Sequence, residues 1–210
     1  MGGRGARSSS GRYGGGGNIG IMSTTSFVSE RENYEISSDV LGVFKDVNDE
    51  YGYVIDDIQI ATLDAKSQSA IAYYDGANIG WNETFMNKST LNTAYEMSVK
   101  SGFHPSNGKK TPAEAVASHE LGHALTDAVG RKIGVNNIDA TATRIVNEAR
   151  KQTGHRGVVQ MAQKISGYAT HSNAEAIAEA FSDVYCNGGK AKRESKAIVD
   201  VMNSYLKPKK

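Results

Sequence analysis

Only one cysteine, Cys186, occurs in the 210 residues, so no intrachain disulfide can staple the fold and no oxidising compartment is required. There are only three prolines and one tryptophan. Charge of one sign is missing too. Lys and Arg number 24 against 23 Asp and Glu, a net charge of +1. That leaves no strong field to draw nucleic acid or a membrane surface, and neither is expected as a partner. No apolar run approaches the roughly 20 residues of a membrane span. No apolar leader segment stands near the N-terminus, so the expected location is cytoplasmic. No G-x-x-x-x-G-K-[ST] follows the glycine-rich start, which excludes that kind of phosphate loop.

What is present begins with MGGRGARSSSGRYGGGG, residues 1–17, a glycine, serine and arginine tract that cannot bury a core. It is expected to be a disordered tail, with residues 18–210 as one domain. Ile36, Val40, Val43, Phe44 and Val47 predict a helix over Tyr34–Tyr51, closed by Gly52. Ile55–Leu63 alternates as a strand, Ala70–Tyr74 is a second, and Asp75-Gly76 turns into a third, Ala77–Met86. Asn78, Gly80, Asn82 and Glu83 give that third strand an edge-like character. Leu91–Lys100 reads as a helix, and Ser101–Lys110 as a polar loop with His104 on its surface. Later helices are predicted over Ile138–Gln152, Val158–Ile165, a stretch ending at Asn187-Gly188-Gly189, and Ala191–Leu206. A small mixed sheet followed by a helical C-terminal half makes the expected class α+β.

The most informative stretch is AEAVASHELGHALTDAV, Ala113–Val129. His119-Glu120-Leu121-Gly122-His123 matches H-E-x-x-H. On a helix, residues four apart lie nearly above one another, about 6 Å along the axis, so two imidazoles can share one metal ion. Glu120 lies about 100° round the same turn, close enough to reach a water at the metal. Zinc suits imidazole plus carboxylate and keeps one position open in catalytic sites. Thr111-Pro112-Ala113-Glu114 supplies a capping box with proline at the first helical position. Gly130 is expected to stop the helix, with Arg131 and Lys132 at its negative end.

Two histidines do not complete a zinc site. The extended pattern with a third histidine fails, because Thr126 and Val129 stand where its glycine and histidine belong. The downstream donors are His155, His171, Glu175, Glu179 and Asp183. The last three recur every four residues along AEAIAEAFSDVYC and would repel one another on a solvated face. The apolar residues around them suggest burial, and buried carboxylates need a cation, a partner or a proton. Glu175, at the helix start, is expected as the metal ligand, and Glu179, one turn on, as the acceptor that orients a ligand histidine. Ser172 or Asn173 can cap the helix. His155 and His171 remain open as loop ligands.

Tyr168, then Glu175 seven residues later and Glu179 in an EAIAEAF context, together with H-E-x-x-H, resembles the zincin metallopeptidase domains of the anthrax lethal factor and Pro-Pro endopeptidase family, including phage-encoded relatives. The resemblance spans roughly Tyr34 to Leu206. It implies a zincin-like fold and zinc-dependent endopeptidase activity. By that likeness His119, His123 and Glu175 bind Zn2+, Glu120 is the general base, Tyr168 assists at the oxyanion, and Glu179 supports a ligand. The expected substrate is a peptide or protein bound as an extended strand, pairing with the strand within Ala77–Met86. A zinc-stabilised structural module, virion-associated if phage-encoded, is the alternative, and a closed set of four protein ligands would mark it.

Overall fold

The computed structural model describes residues 34–52, 58–61 and 69–207. The expected tail at residues 1–17 lies outside them. In chain order the elements are α1 (Tyr34–Tyr51), β1 (Ile58–Ala61), β2 (Ala72–Tyr74), β3 (Ile79–Asn82), α2 (Lys88–Lys100), α3 (Pro112–Ile133), α4 (Ile138–Thr153), α5 (Val158–Ile165), α6 (Asn173–Asn187) and α7 (Arg193–Leu206). Short 3-10 turns cover Glu83–Met86, Tyr168–Thr170 and Gly188–Lys190. Helices dominate, beside one small mixed sheet, so the class is α+β. Among the described residues, no helix is long and apolar enough to cross a membrane.

The strand order is β1-β3-β2, with β1 parallel and β2 antiparallel to β3. The D-G hairpin forms as expected, with Tyr74 opposite Ile79 across the turn. The edge assignment is corrected. β3 is the central strand, and all four of its residues are buried. Its polar side chains serve the turn chemistry instead. Asn82 donates to the Ala70 carbonyl at 2.8 Å and accepts from the Thr84 N–H at 3.0 Å, capping the 3-10 turn that follows. The edge beside the helices belongs to β2. Asn82 N donates to Ile71 O at 2.9 Å and Asp75 N to Asn78 O at 3.1 Å, so residues 71, 73 and 75 face β3. The main-chain groups of Ala72 and Tyr74 therefore point away from the sheet.

α3 is the central helix. The capping box is complete: Thr111 Oγ1 accepts from Glu114 N at 3.2 Å, and Thr111 N donates to Glu114 Oε2 at 2.7 Å. Such a cap contributes on the order of 1 kcal/mol. The Thr111 hydroxyl also donates to Asp39 at 2.8 Å, tying the start of α3 to α1. Gly130 does not end the helix. α3 continues to Ile133 and closes at Gly134, whose φ is 73°. Gly130 is there for space: a Cβ would sit 2.6 Å from Val135 O and 2.8 Å from Thr141 Oγ1.

From Ala115 to Thr126 every residue of α3 is buried, and so is every residue of α6 from Ala174 to Asp183. Two helices hydrophobic nearly all round must lie inside the bundle. Leu121, Leu125, Ile145, Ile165 and Ile177 are among the side chains fully enclosed around them, each stabilising by roughly 1.5–3 kcal/mol. α3 and α6 cross at Gly122. A Cβ at that position would stand 2.8 Å from the Ala178 Cα. The glycine inside H-E-L-G-H is what lets α6 come close enough to deliver its carboxylates.

Candidate metal centre

The helical spacing of α3 puts His119 and His123 side by side, with ring centroids 5.1 Å apart. α6, capped by the Ser172 hydroxyl accepting from Glu175 N at 3.0 Å, aims its first turn at them. Glu175 Oε2 lies 3.1 Å from His119 Nε2 and 3.5 Å from His123 Nε2. One turn further on, Glu179 Oε1 lies 2.8 Å from His119 Nδ1. The three groups His119, His123 and Glu175 each bring one donor atom to within 4.8 Å of the others, and all three are buried. They are the one such group of metal-ligating type among the described residues.

The donor set fits a divalent cation. Glu179 can only accept, so its contact fixes a proton on His119 Nδ1, and in the neutral ring, the form that binds a metal, Nε2 keeps its lone pair. That lone pair points at Glu175 Oε2, a second acceptor, which is buried and makes no hydrogen bond of good geometry. Two acceptors 3.1 Å apart in a buried site repel unless a metal ion, or a proton on Nε2, stands between them. Zinc bonds of about 2.0–2.1 Å at tetrahedral angles space their ligand atoms by about 3.3 Å, close to the two separations between Glu175 and the histidines.

The charges follow the same arrangement. Burial opposes ionising Glu175, but His123 and His119 beside it outweigh that and hold its carboxyl far below the usual range. Burial likewise opposes ionising Glu179, and His104 and His119 outweigh it. For His119 burial favours the neutral ring, yet the carboxylates of Glu175 and Glu179 beside it raise its pKa well above the ordinary value. Glu120 is different. Burial pushes its carboxyl up, and the pull of His119, His123 and the Tyr74 main-chain N–H does not cancel that. Its raised pKa suits a group that takes and returns a proton.

Tyr168 is buried and stacks on His119, centroids 5.7 Å apart and planes 21° from parallel. The remaining donors do other work. His171 Nδ1 turns to Tyr168 O at 3.2 Å. His155 pairs with Glu194 at 2.9 Å. Asp183 breaks the expected stripe: it accepts from Asn187 at 2.9 Å and from Lys192 N at 2.9 Å, closing the end of α6. The residue that sequence reasoning misplaced is His104. It is no surface residue, since its Nδ1 lies 2.8 Å from Glu179 Oε1 and its side chain is 20% exposed. A loop histidine 75 positions from its partner leaves no periodic trace.

No family model, no curated protein and no solved structure matches this chain.

Proposed function

We propose that the protein is a zinc-dependent endopeptidase with a zincin-like fold. The observation that carries the reading is Glu175 Oε2, a buried acceptor without a well-formed hydrogen bond, facing the Nε2 atoms of two H-E-x-x-H histidines with Glu120 alongside. His119, His123 and Glu175 would hold the ion. Bound there, zinc supplies Lewis acidity, polarising a carbonyl and bringing the pKa of a water towards 7. Glu120 takes the proton of the attacking water and passes it to the departing amine. Tyr168, packed on His119, donates to the carbonyl oxygen as charge builds on it. Glu179 keeps His119 in the Nδ1–H form.

The substrate is a peptide or protein segment lying as an extended strand. Its edge is β2 rather than the strand first expected. Ala72 and Tyr74 turn their main-chain groups away from β3, and the Tyr74 N–H lies towards Glu120. A chain added there runs past the general base. The structural-module alternative asks for a fourth protein ligand. Of the downstream donors that could supply it, His171 and Asp183 are directed elsewhere. The test is a peptide-library cleavage profile of zinc-loaded protein, with and without chelator. Cleavage that chelator stops supports the reading, and zinc-loaded protein that cleaves nothing overturns it.

A further inference from the structure

We infer that His104 is a positioning residue for the metal centre, setting through Glu179 the angle at which His119 presents Nε2. The inference rests on the metal-site reading above. The terminal torsion of a glutamate is soft, so partners must fix the plane of its carboxylate. Glu179, 1% exposed, has three. Oε1 accepts from both His119 Nδ1 and His104 Nδ1, each at 2.8 Å, and Oε2 accepts from the Ser166 hydroxyl at 2.6 Å.

His104 is itself held. Its ring stacks on Tyr95, centroids 5.7 Å apart and planes 5° from parallel, and meets Tyr168 edge-on at 5.3 Å. The loop that carries it is joined to the loop that carries Ser166 and Tyr168. Gly167 N donates to Gly102 O at 2.9 Å, and Tyr168 N to Phe103 O at 2.9 Å. One main-chain link therefore sets two of the three partners of Glu179. Removing the His104 N–H strips Oε1 of one of its two donors in a site that water cannot readily reach, and leaves the carboxylate free to turn away from His119.

Two variants separate the donor from the ring. His104→Phe keeps an aromatic plane on Tyr95 and loses the N–H. His104→Asn places an amide N–H near the position of Nδ1 and loses the ring. Zinc affinity is measured by competition with a chromogenic chelator, the cobalt absorption spectrum reports ligand geometry, and thermal melting is followed without metal. Expected are about tenfold weaker zinc binding and an altered cobalt spectrum for His104→Phe. His104→Asn should stay within about threefold of the unaltered protein. Zinc binding by His104→Phe as tight as in the unaltered protein overturns the inference. So does equal weakening in both variants with a lowered melting temperature, which would make His104 a packing residue. An unaltered chain that binds no zinc sinks the metal-site reading and this inference together.

Discussion

Two histidine–glutamate clusters stand in the same bundle and are wired differently. In the second of them, at the start of α7, His155 Nε2 meets Glu194 Oε1 at 2.9 Å, and Arg193 Nη2 closes on the same oxygen at 3.1 Å. The guanidinium also donates to Thr153 O at 3.1 Å, and Arg150 holds the His155 carbonyl at 2.9 Å. Every group there has a neighbour of the right kind. In the first, at the α3–α6 crossing, no arginine or lysine takes part in the ion pairs of Glu175 or Glu179 among the described residues. Pairing a histidine with a carboxylate is therefore no sign of a ligand site. The sign is acceptor capacity left over, here the Glu175 oxygen, in a place too dry for water to absorb it.

The contrast can be broken in several ways. Glu120→Gln leaves the wiring of the first cluster in place and removes its base. Peptide cleavage should fall by about a thousandfold or more, while zinc affinity in chelator competition stays the same. Glu175→Gln against Glu194→Gln tests the contrast directly. The first should weaken zinc binding by more than about a hundredfold, and the second should leave it unchanged. Gly122→Ala probes the helix approach on which only the first cluster depends. The added Cβ should cost about 1–3 kcal/mol in denaturant unfolding and weaken metal binding with it.

The smallest effect belongs to the second cluster. Burial opposes ionising Glu194, but hydrogen bonds from His155, its own main-chain N–H and Arg193 hold its carboxyl below the usual value. A depressed folded-state pKa gives stability that is complete above the unfolded carboxyl pKa and lost as pH falls through the folded one. Glu194→Gln should therefore flatten the acid limb of urea unfolding below about pH 4.5, by under about 1 kcal/mol.

The parts of this molecule that are legible in the sequence are those on long helices. H-E-x-x-H and the Glu175–Glu179 step show because 3.6-residue periodicity turns sequence spacing into position on a face, and the Thr111–Glu114 box marks where one of those helices starts. Loops and strands hide more. His104 reaches Glu179 only because Gly102 and Phe103 pair with Gly167 and Tyr168, a contact across 65 positions that no local pattern encodes. β3 looked like an edge because Gly80 and Asn82 interrupt it. Yet the Tyr73 ring occupies the space above Gly80, 2.2 Å from where a Cβ would be, and Asn82 spends its amide on a neighbouring carbonyl. Asp183 shares the four-residue rhythm of the two glutamates, but one more turn carried it beyond the histidines to the end of its helix.

The contact of Gly122 with Ala178 has a consequence for how this chain can vary. Two backbones meet there with almost no side chain between them, so the bite of the two helices on an ion has no cushion. A residue already without a side chain cannot shrink to make room for a larger one opposite. Positions 122 and 178 are therefore unable to trade volume, and enlarging Ala178 should loosen the grip as surely as enlarging Gly122, with every donor atom still present.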